Sequence, residues 1–306
     1  MIDLNELLEL AANEAAGAQA PTYSAIAKEL LHYEIMLAIS RSEVAPRIAF
    51  QGGTALRLCY GGQRYSEDLD FVCGSDAKEP FRIDDVERLL HINLKNRYGL
   101  SVQFQQPAED KLFSLDRAVV KRWKSVVEVP GLDGFQRINI EFCNVPAYDA
   151  APRLIRAQYS FLPQQYRSIL VRTESLEEIF ADKIIALANR PFLKARDVWD
   201  VLWLSNNGVR WDIKLVQKKM ADYSITDFGE KLEVSIARMQ SPESSKQFAQ
   251  EMSRFVAPEV MLAVNREKPA GKVWLNHAVA LLMAVKDEIG DGERARLRST
   301  FEGPRF

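Results

Sequence analysis

Two aspartates, Asp68 and Asp70, stand one residue apart inside the apolar run "SEDLDFVC". Because side chains alternate between the faces of a strand, both carboxylates are expected on one side, with Leu69 and Phe71 on the other. Two residues of strand rise separate the aspartate Cα atoms by about 6.5 to 7 Å, within reach of one divalent ion or an ion pair. Mg²⁺ or Mn²⁺ prefers such oxygen ligands. The sequence therefore predicts catalytic metal ligands; the alternative is a strand with one wet face.

A glycine pair precedes the acids by about 15 residues, in "FQGGTALRL". Gly52 and Gly53 leave the backbone bare, Thr54 adds a hydroxyl, and a helix is predicted to begin there. Free amide groups at a helix start bind phosphate. We therefore expect these three residues to bind a nucleoside triphosphate (NTP) beside the metal site.

A lysine, Lys183, lies on the packing face of another predicted helix. The segment "SLEE" at Ser175 places glutamate three residues after serine, a capping box that predicts a helix start. The apolar stripe that follows includes Lys183; its members are Ile179, Phe180, Ile184 and Leu187. The ammonium group is expected either to extend to solvent or to bind an anion, which is a triphosphate or a carboxylate such as Asp197.

Two acids in "ARDVWDVLWL", Asp197 and Asp200, share a helical face with Val201 and Leu204. At least one of these carboxylates is expected to point to the interior or to a cleft. The alternative is an ordinary helical ion pair. The pairs with that spacing are Asp200 with Arg196 and Asp197 with Lys194.

Changes in hydrophobic period predict the elements that position these residues. Residues 22–44 and 3–16 read as helices, "RIAFQGG" and "SEDLDFVC" as short strands, and "TALRLCYGG" as two helical turns between them. A helical stretch at residues 84–98 and three strand-like runs follow, and helical spacing continues from Ser175 to the end. The runs are "SVQFQ", "VVKRWKSVVEV" and "RINIEFC". We predict an α+β fold, with an N-terminal helical segment (1–45), a core with a short mixed sheet (46–173) and a C-terminal helical lobe (174–306).

The order of these motifs resembles a known family. Gly-Gly-Thr, a short helix and then two aspartates after "RYSE" resemble the signature of polymerase-beta-type nucleotidyltransferases. More closely, "GGTALRL" and "RYSEDLDF", followed by "ADKIIALANR" and "ARDVWDV", resemble the AbiEii/AbiGii toxin family, which includes the MenT-type toxins. The resemblance covers residues 46–205. It implies a polymerase-beta-like nucleotidyltransferase core.

The resemblance also implies roles for individual residues. Superfamily members carry a third acid on a neighbouring strand, and Glu141 in "INIEFC" is the candidate catalytic and metal-binding residue; an exposed strand glutamate is the alternative. Lys183 and Asp197 match residues needed for activity, and Lys183 and Arg190 are expected at the nucleotide. Ser66 matches a nucleotide-site position that is a phosphorylation site in some relatives. Two other acids lie outside the strand-like run and are weaker candidates: Asp133 and Asp149.

The implied function is a metal-dependent toxin that transfers a nucleotide from an NTP to RNA, at the 3′ end of a tRNA, and so blocks translation. A cognate antitoxin encoded nearby is expected. Two alternatives share the same residues: a GTP or ATP sensor without transfer activity, and transfer to a protein or small-molecule hydroxyl.

Composition agrees with a globular protein. The chain has 306 residues and a formal net charge of -2, which argues against a uniformly basic nucleic-acid-coating surface. Residues 150–173 hold four arginines, interleaved with aromatic residues, and no acid, so this segment is either a local basic face or a solvated connector.

No leader or membrane span is evident, so a cytosolic protein is expected. Three cysteines without metal-ligand spacing indicate buried thiols: Cys59, Cys73 and Cys143. Three widely spaced histidines are expected in core or surface roles: His32, His91 and His277.

Overall fold

The computed structural model describes residues 4–16, 21–74, 82–105, 122–131, 134–266 and 268–300. Contacts group the chain into two compact units. Unit 1 comprises Met1–Ile179 with Met252–Met261, and unit 2 comprises Phe180–Glu251 with Leu262–Phe306. The three-part division at residues 45 and 173 stays a prediction.

Unit 1 is a mixed sheet with helices. Its strands are β1 (Ala49–Gln51), β2 (Leu69–Val72), β3 (Ser101–Gln105), β4 (Arg122–Gly131), β5 (Gly134–Cys143), β6 (Ala150–Leu154) and β7 (Leu170–Glu174). Its principal helices are α1 (Leu4–Ala16), α2 (Pro21–Ser40), α3 (Gly52–Tyr60), α4 (Ile83–Leu90) and α5 (Asn96–Tyr98), with a π-helical turn at His91–Lys95. The strand order is β3-β4-β5-β2-β1-β7-β6. The β1–β7 and β2–β5 pairs are parallel, and the other pairs are antiparallel.

Aromatic stacking holds the three central strands together. Phe50 on β1 packs against Phe71 on β2 with ring centroids 5.2 Å apart, and Phe71 stacks on Phe142 of β5 at 5.1 Å. These three rings are in register across the strands and are buried. One face of the sheet is therefore an apolar core, as period-two alternation predicts, and the opposite face is left for polar side chains.

Strands β6 and β7 were not among the strand-like runs of the sequence. They occupy both ends of the segment interpreted as a basic face or a connector, and β6 forms one edge of the sheet. Residues 151–154 are exposed, and Pro152 lies on this edge strand. A strand without a buried face shows no hydrophobic alternation, so the pattern that predicts strands is absent.

Helix α2 is buried on nearly all sides. The sequence predicts an amphipathic helix to residue 44, but the helix ends at Ser40 and a 3-10 turn follows at Ala45–Arg47. The buried residues of α2 include charged and polar ones: Lys28, Glu29, His32 and Glu34. Their partners lie in the segments that carry the predicted site, as described below.

Unit 2 is helical. Its elements are α6 (Leu176–Asn189), α7 (Ala195–Asn206), α8 (Ile213–Asp222), α9 (Phe228–Met239), α10 (Ser244–Met252), α11 (Pro258–Asn265) and α12 (Lys272–Thr300). The first residues of α6 and of α11 and the last residue of α10 belong to unit 1. Trp199 stacks on Trp274 with ring centroids 4.7 Å apart, which joins α7 to α12. In the described part of the chain, no helix combines the length and apolarity that a membrane span requires.

The predicted start of α6 is confirmed. The Ser175 hydroxyl accepts a hydrogen bond of 3.1 Å from the Glu178 amide, as in a capping box. The Glu178 carboxylate also accepts hydrogen bonds of 2.8 and 2.7 Å from the amides of Tyr148 and Asp149. The capping glutamate thus ties the helix start to the segment that leads into β6.

Candidate active site

Two acids lie side by side on adjacent central strands of unit 1. Asp70 on β2 is in register with Glu141 on β5, and these strands are parallel. Gln51 on β1 is opposite Asp70, and Lys124 on β4 is opposite Glu141. The Lys124 ammonium lies 3.9 Å from a Glu141 carboxylate oxygen. The result is a polar row across four strands, with neighbouring strands about 4.8 Å apart.

Asp68 lies one residue before β2 and is fixed by two contacts. Its carboxylate accepts a hydrogen bond of 2.7 Å from the Asn139 side-chain amide, and its main-chain oxygen accepts one from the Thr54 hydroxyl. Asn139 and Glu141 lie on the same face of β5 and alternate with buried Ile138, Ile140 and Phe142. The three predicted acids therefore border one face of the sheet, with Asn139 as an additional partner.

The two glycines allow close approach at the start of α3. Gly52 has a φ of 78°, and a Cβ there would lie 2.7 Å from the Asp70 Oδ2 atom. A Cβ on Gly53 would lie 2.0 Å from an Arg64 guanidinium nitrogen. The bare backbone at the helix start is thus next to one predicted metal ligand and one cation. Thr54 is buried, and its hydroxyl donates to the main chain of the acidic motif.

Arg64 is a site-adjacent residue that sequence reasoning missed. It is 4% exposed, and its guanidinium donates a hydrogen bond of 2.9 Å to the Tyr65 main-chain oxygen. Arg64 stands in an irregular segment between α3 and β2. Hydrophobic periodicity does not predict the direction of a side chain in such a segment. The nearness of Arg64 to Gly53 arises from the turn, which helical or strand spacing does not describe.

A buried ion pair anchors this turn to α2. The Arg57 guanidinium contacts both carboxylate oxygens of Glu29, at 2.7 and 3.1 Å, and lies 4.4 Å from the Tyr65 ring centroid. Arg57 also donates to the main-chain oxygens of Gly62 and Gln63. This arrangement orders the turn because one buried cation binds several points along it.

A second anchor holds the residue next to Asp68. Lys28 forms an ion pair of 2.7 Å with Glu67, and a ring nitrogen of His32 lies 3.2 Å from the Glu67 main-chain oxygen. Burial lowers the pKa of His32 to about 4, against the opposing effect of the Glu29 carboxylate. His32 is therefore neutral at physiological pH. Ser66, the predicted nucleotide-site residue, is 6% exposed.

Unit 2 has its own ionic cluster, which joins α6 to α7. The Lys183 ammonium lies 3.0 Å from Asp197 and 2.8 Å from Asp200. The Arg190 guanidinium lies 2.7 Å from the other oxygen of Asp197. Arg196, the alternative sequence partner of Asp200, contacts Glu251 at 3.8 Å. Of the options for Lys183, the carboxylate is the one observed.

The charges in this cluster determine the state of Asp197, which is 1% exposed. Burial by itself raises the pKa of a carboxyl group. The Lys183 ammonium and the Arg190 guanidinium outweigh that effect and hold the pKa of Asp197 well below its usual range. Asp197 is accordingly an ionised partner of two cations. Burial, together with Arg196 and Arg190, lowers the pKa of the adjacent Lys194.

The predicted site residues thus fall into two sets, one in each unit. Unit 1 places the glycine pair, the two aspartates and Glu141 around one end of the central strands, and unit 2 places Lys183 with Asp197 and Arg190. Among the residues that the structure describes, no group of three or more His, Cys, Asp or Glu side chains is arranged to hold a metal ion. The acids of unit 1 are neighbours, but these side chains alone do not form a complete coordination sphere for a metal ion.

Comparison with known proteins identifies the family. Residues 34–268 match the family model described as nucleotidyl transferase AbiEii toxin, type IV toxin–antitoxin system. The chain belongs to this family. The AbiEii match covers most of the chain and includes both sets of site residues. A comparison with the curated proteins finds no match.

One solved structure shares the fold of this chain, and two others resemble it at TM-scores below 0.5. MenT4, a nucleotidyltransferase toxin from Mycobacterium tuberculosis H37Rv, has a TM-score of 0.51 and 18% identity, covering 90% of this chain and 98% of that one. JHP933 from Helicobacter pylori has a TM-score of 0.44 and 17% identity, with 89% and 97% coverage. A protein described as a putative nucleotidyltransferase from H. pylori has a TM-score of 0.43 and 14% identity, covering 87% of this chain and 96% of that one.

The predicted enzyme class and fold are therefore confirmed. The protein is an AbiEii nucleotidyltransferase of a type IV toxin–antitoxin system, with an α+β fold whose core is a mixed seven-stranded sheet. Its family implies an NTP substrate, a divalent metal and a cognate antitoxin.

Proposed function

We propose that this AbiEii enzyme transfers a nucleotide from an NTP to the 3′ end of a tRNA and so blocks translation. One observation carries the nucleotidyl-transfer chemistry: the in-register carboxylates of Asp70 and Glu141, with Asp70 against the backbone of Gly52. The RNA acceptor is supported by the resemblance of the motifs to the MenT-type toxins.

The acids of unit 1 fit a Mg²⁺ or Mn²⁺ ion. Magnesium is commonly held by one or two carboxylates together with substrate phosphate oxygens, so a complete protein cage is not required. Asp68 and Asp70 supply carboxylates on one face, and the Asn139 amide orients Asp68. A bound divalent ion would neutralise charge on the triphosphate and the leaving pyrophosphate.

The protein groups around the acids receive the triphosphate and the acceptor. The amide groups at the start of α3, in Gly52 and Gly53, are the groups proposed to bind phosphate oxygens. Attack of the acceptor hydroxyl oxygen on the α-phosphorus forms a new P–O bond and breaks the bond to the β-phosphate, so pyrophosphate leaves with the electron pair. The hydroxyl proton passes to the Glu141 carboxylate.

Glu141 is a better proton acceptor than Asp197, the other residue considered for this step. Asp197 is buried and bound to two cations, and its lowered pKa makes it a weak base. We assign Asp197 to positioning instead: it holds the side chains of Lys183 and Arg190. These two cations are proposed to bind the nucleotide, with Lys183 as a point charge.

The test uses the full chain with Mg²⁺, total RNA and each NTP in turn, labelled at either the α- or the γ-phosphate. The proposal expects α-label in tRNA and γ-label in pyrophosphate. Asp70→Asn should reduce transfer by at least a hundredfold. Asp84→Asn is the matched control because Asp84 is an exposed acid in the first turn of α4.

Different results refute different parts of the proposal. Nucleotide binding without transfer under every NTP would refute the transferase activity of this chain. Transfer to protein instead of RNA would refute the acceptor. Full activity of Asp70→Asn would refute the assignment of the site. RNA sequencing of the labelled product then shows whether the new nucleotide is at the tRNA 3′ end.

A further inference from the structure

Three exposed arginines lie on the edge strand β6 and in the segment that joins it to β7: Arg153, Arg156 and Arg167. We call this surface the basic edge. Arg172 is half-buried on β7 opposite Pro152, so it lies on the other face of this strand pair from Arg153 and is not part of the basic edge. The segment from 150 to 173 contains no acid. Among the described residues, the guanidinium groups of the basic edge form no ion pair with a carboxylate.

Two of these arginines are held at the end of helix α3. The Arg153 guanidinium lies 5.2 Å from the Tyr60 ring centroid, and Tyr60 is the last residue of α3. A Cβ on Gly61 would lie 2.5 Å from an Arg156 guanidinium nitrogen, so Arg156 covers the glycine that ends the helix. These contacts order both side chains, and both residues remain exposed to solvent.

Helix α3 links this surface to the acids. It begins at Gly52, which approaches Asp70, and ends at Tyr60 beneath Arg153. At 1.5 Å per residue, the helix places its two ends about 12 Å apart. A polyanion on the basic edge is therefore within a few nucleotides of the acids.

The surroundings suit a nucleic acid. Half-buried Phe161 stacks beside Tyr159 in the segment that connects β6 and β7. Basic groups next to aromatic side chains are typical of surfaces that bind phosphate backbone and bases together. One acid, Glu177, lies near Tyr60 together with Arg153, and the three arginines of the basic edge outnumber it.

We propose that the basic edge binds the phosphodiester backbone of the acceptor RNA and guides its end toward Asp70 and Glu141. This inference rests on the proposed function, because it concerns the acceptor of the same reaction. The chain carries a net charge of -2, so binding to RNA requires a local surface of this kind rather than overall charge.

The test removes three exposed charges by Arg153→Gln, Arg156→Gln and Arg167→Gln in the full chain. Binding to a fluorescein-labelled 12-nucleotide RNA is measured by anisotropy at several KCl concentrations, in EDTA and without NTP. We expect at least a tenfold weaker affinity. The slope of log Kd against log salt should fall by about 2, since each phosphate contact contributes about 0.7 for single strands.

The control carries the same charge change elsewhere in unit 1: Arg82→Gln, Arg88→Gln and Arg254→Gln, all at exposed positions. It should retain the affinity and the salt slope of the wild type. Unchanged RNA binding in the basic-edge variant, with or without lower thermal stability, would overturn the proposal and leave these arginines as stabilisers of α3. An equal loss in the control variant would also overturn it.

The assay separates this inference from the proposed function because it needs no transfer. RNA binding that depends on the basic edge, without labelled RNA in the transfer assay, would support the surface and refute the RNA transferase. Transfer to RNA at the wild-type rate by the basic-edge variant would refute the surface and support the transferase.

Discussion

Protonation of a single buried histidine should control the stability of unit 1 in mild acid. His32 is 0% exposed and is held against the segment that carries Asp68. Its pKa in the folded protein is about 4, compared with an ordinary value of 6.5, because burial disfavours the imidazolium. Each pKa unit corresponds to about 1.4 kcal/mol, so the difference amounts to about 3 kcal/mol.

The sign follows from proton binding in the two states. Between pH 6.5 and pH 4 the unfolded chain binds a proton at His32 and the folded chain does not, so the free energy of unfolding rises with pH. The contribution is fully present above pH 6.5, is lost as pH falls toward 4, and does not change further below that.

The assay compares the wild type with His32→Gln, which keeps a side-chain donor for the Glu67 main-chain oxygen but does not titrate. Urea unfolding followed by far-UV circular dichroism gives the free energy of unfolding at pH 7.5 and pH 4. Differences between variants at each pH cancel the contributions of other groups. The wild type should lose about 3 kcal/mol more than His32→Gln between these pH values.

His277 provides the matched control because it is exposed, and His277→Gln should keep the pH dependence of the wild type. If wild type and His32→Gln lose stability in parallel, to within about 0.5 kcal/mol, His32 is not a neutral buried group. The reasoning that links α2 to the acidic segment through this residue would then be refuted.

Two further substitutions test the glycine turn and the ionic cluster of unit 2. Gly52→Ala places a Cβ 2.7 Å from Asp70 Oδ2 at a φ of 78°. We therefore expect a stability loss of about 1 to 2 kcal/mol and at least a tenfold lower kcat/KM for transfer. A wild-type rate of transfer would contradict the close approach of Gly52 to Asp70. Asp197→Asn neutralises a buried carboxylate that pairs with Lys183 and should cost roughly 3 kcal/mol, measured by urea unfolding with tryptophan fluorescence. Unchanged stability of Asp197→Asn would show that the ion pair does not hold α6 to α7.

Sequence reasoning succeeded where local periodicity determines facing. Alternation placed Asp70 and Glu141 on the face opposite the buried apolar side chains, because successive side chains of a strand point to opposite faces. Asp68 lies one residue before β2, so strand alternation does not determine its direction. The catalytic roles of these three acids remain a prediction. Helical spacing likewise identified Lys183 as a cation on a packing face. It did not decide whether the ammonium group contacts solvent, a triphosphate or a carboxylate.

Long-range contacts account for what the sequence did not reveal. The ion pair of Glu29 with Arg57 and that of Lys28 with Glu67 join residues that are 28 and 39 positions apart. No local period encodes such pairs, so α2 reads as an ordinary amphipathic helix. The same limitation concealed β7, which pairs in parallel with β1 across more than 100 residues of chain.

The parallel pairing of β2 with β5 makes the enzyme sensitive to strand length. Glu141 stands opposite Asp70 between Ile140 and Phe142, and both of these neighbours belong to the core. Deleting or inserting one residue early in β5 would exchange a carboxylate for an apolar group in that position and turn the charge inward, whereas a change of two residues would preserve the alternation. Point substitutions in β5 should thus be better tolerated than single-codon length changes, whichever nucleotide the enzyme uses.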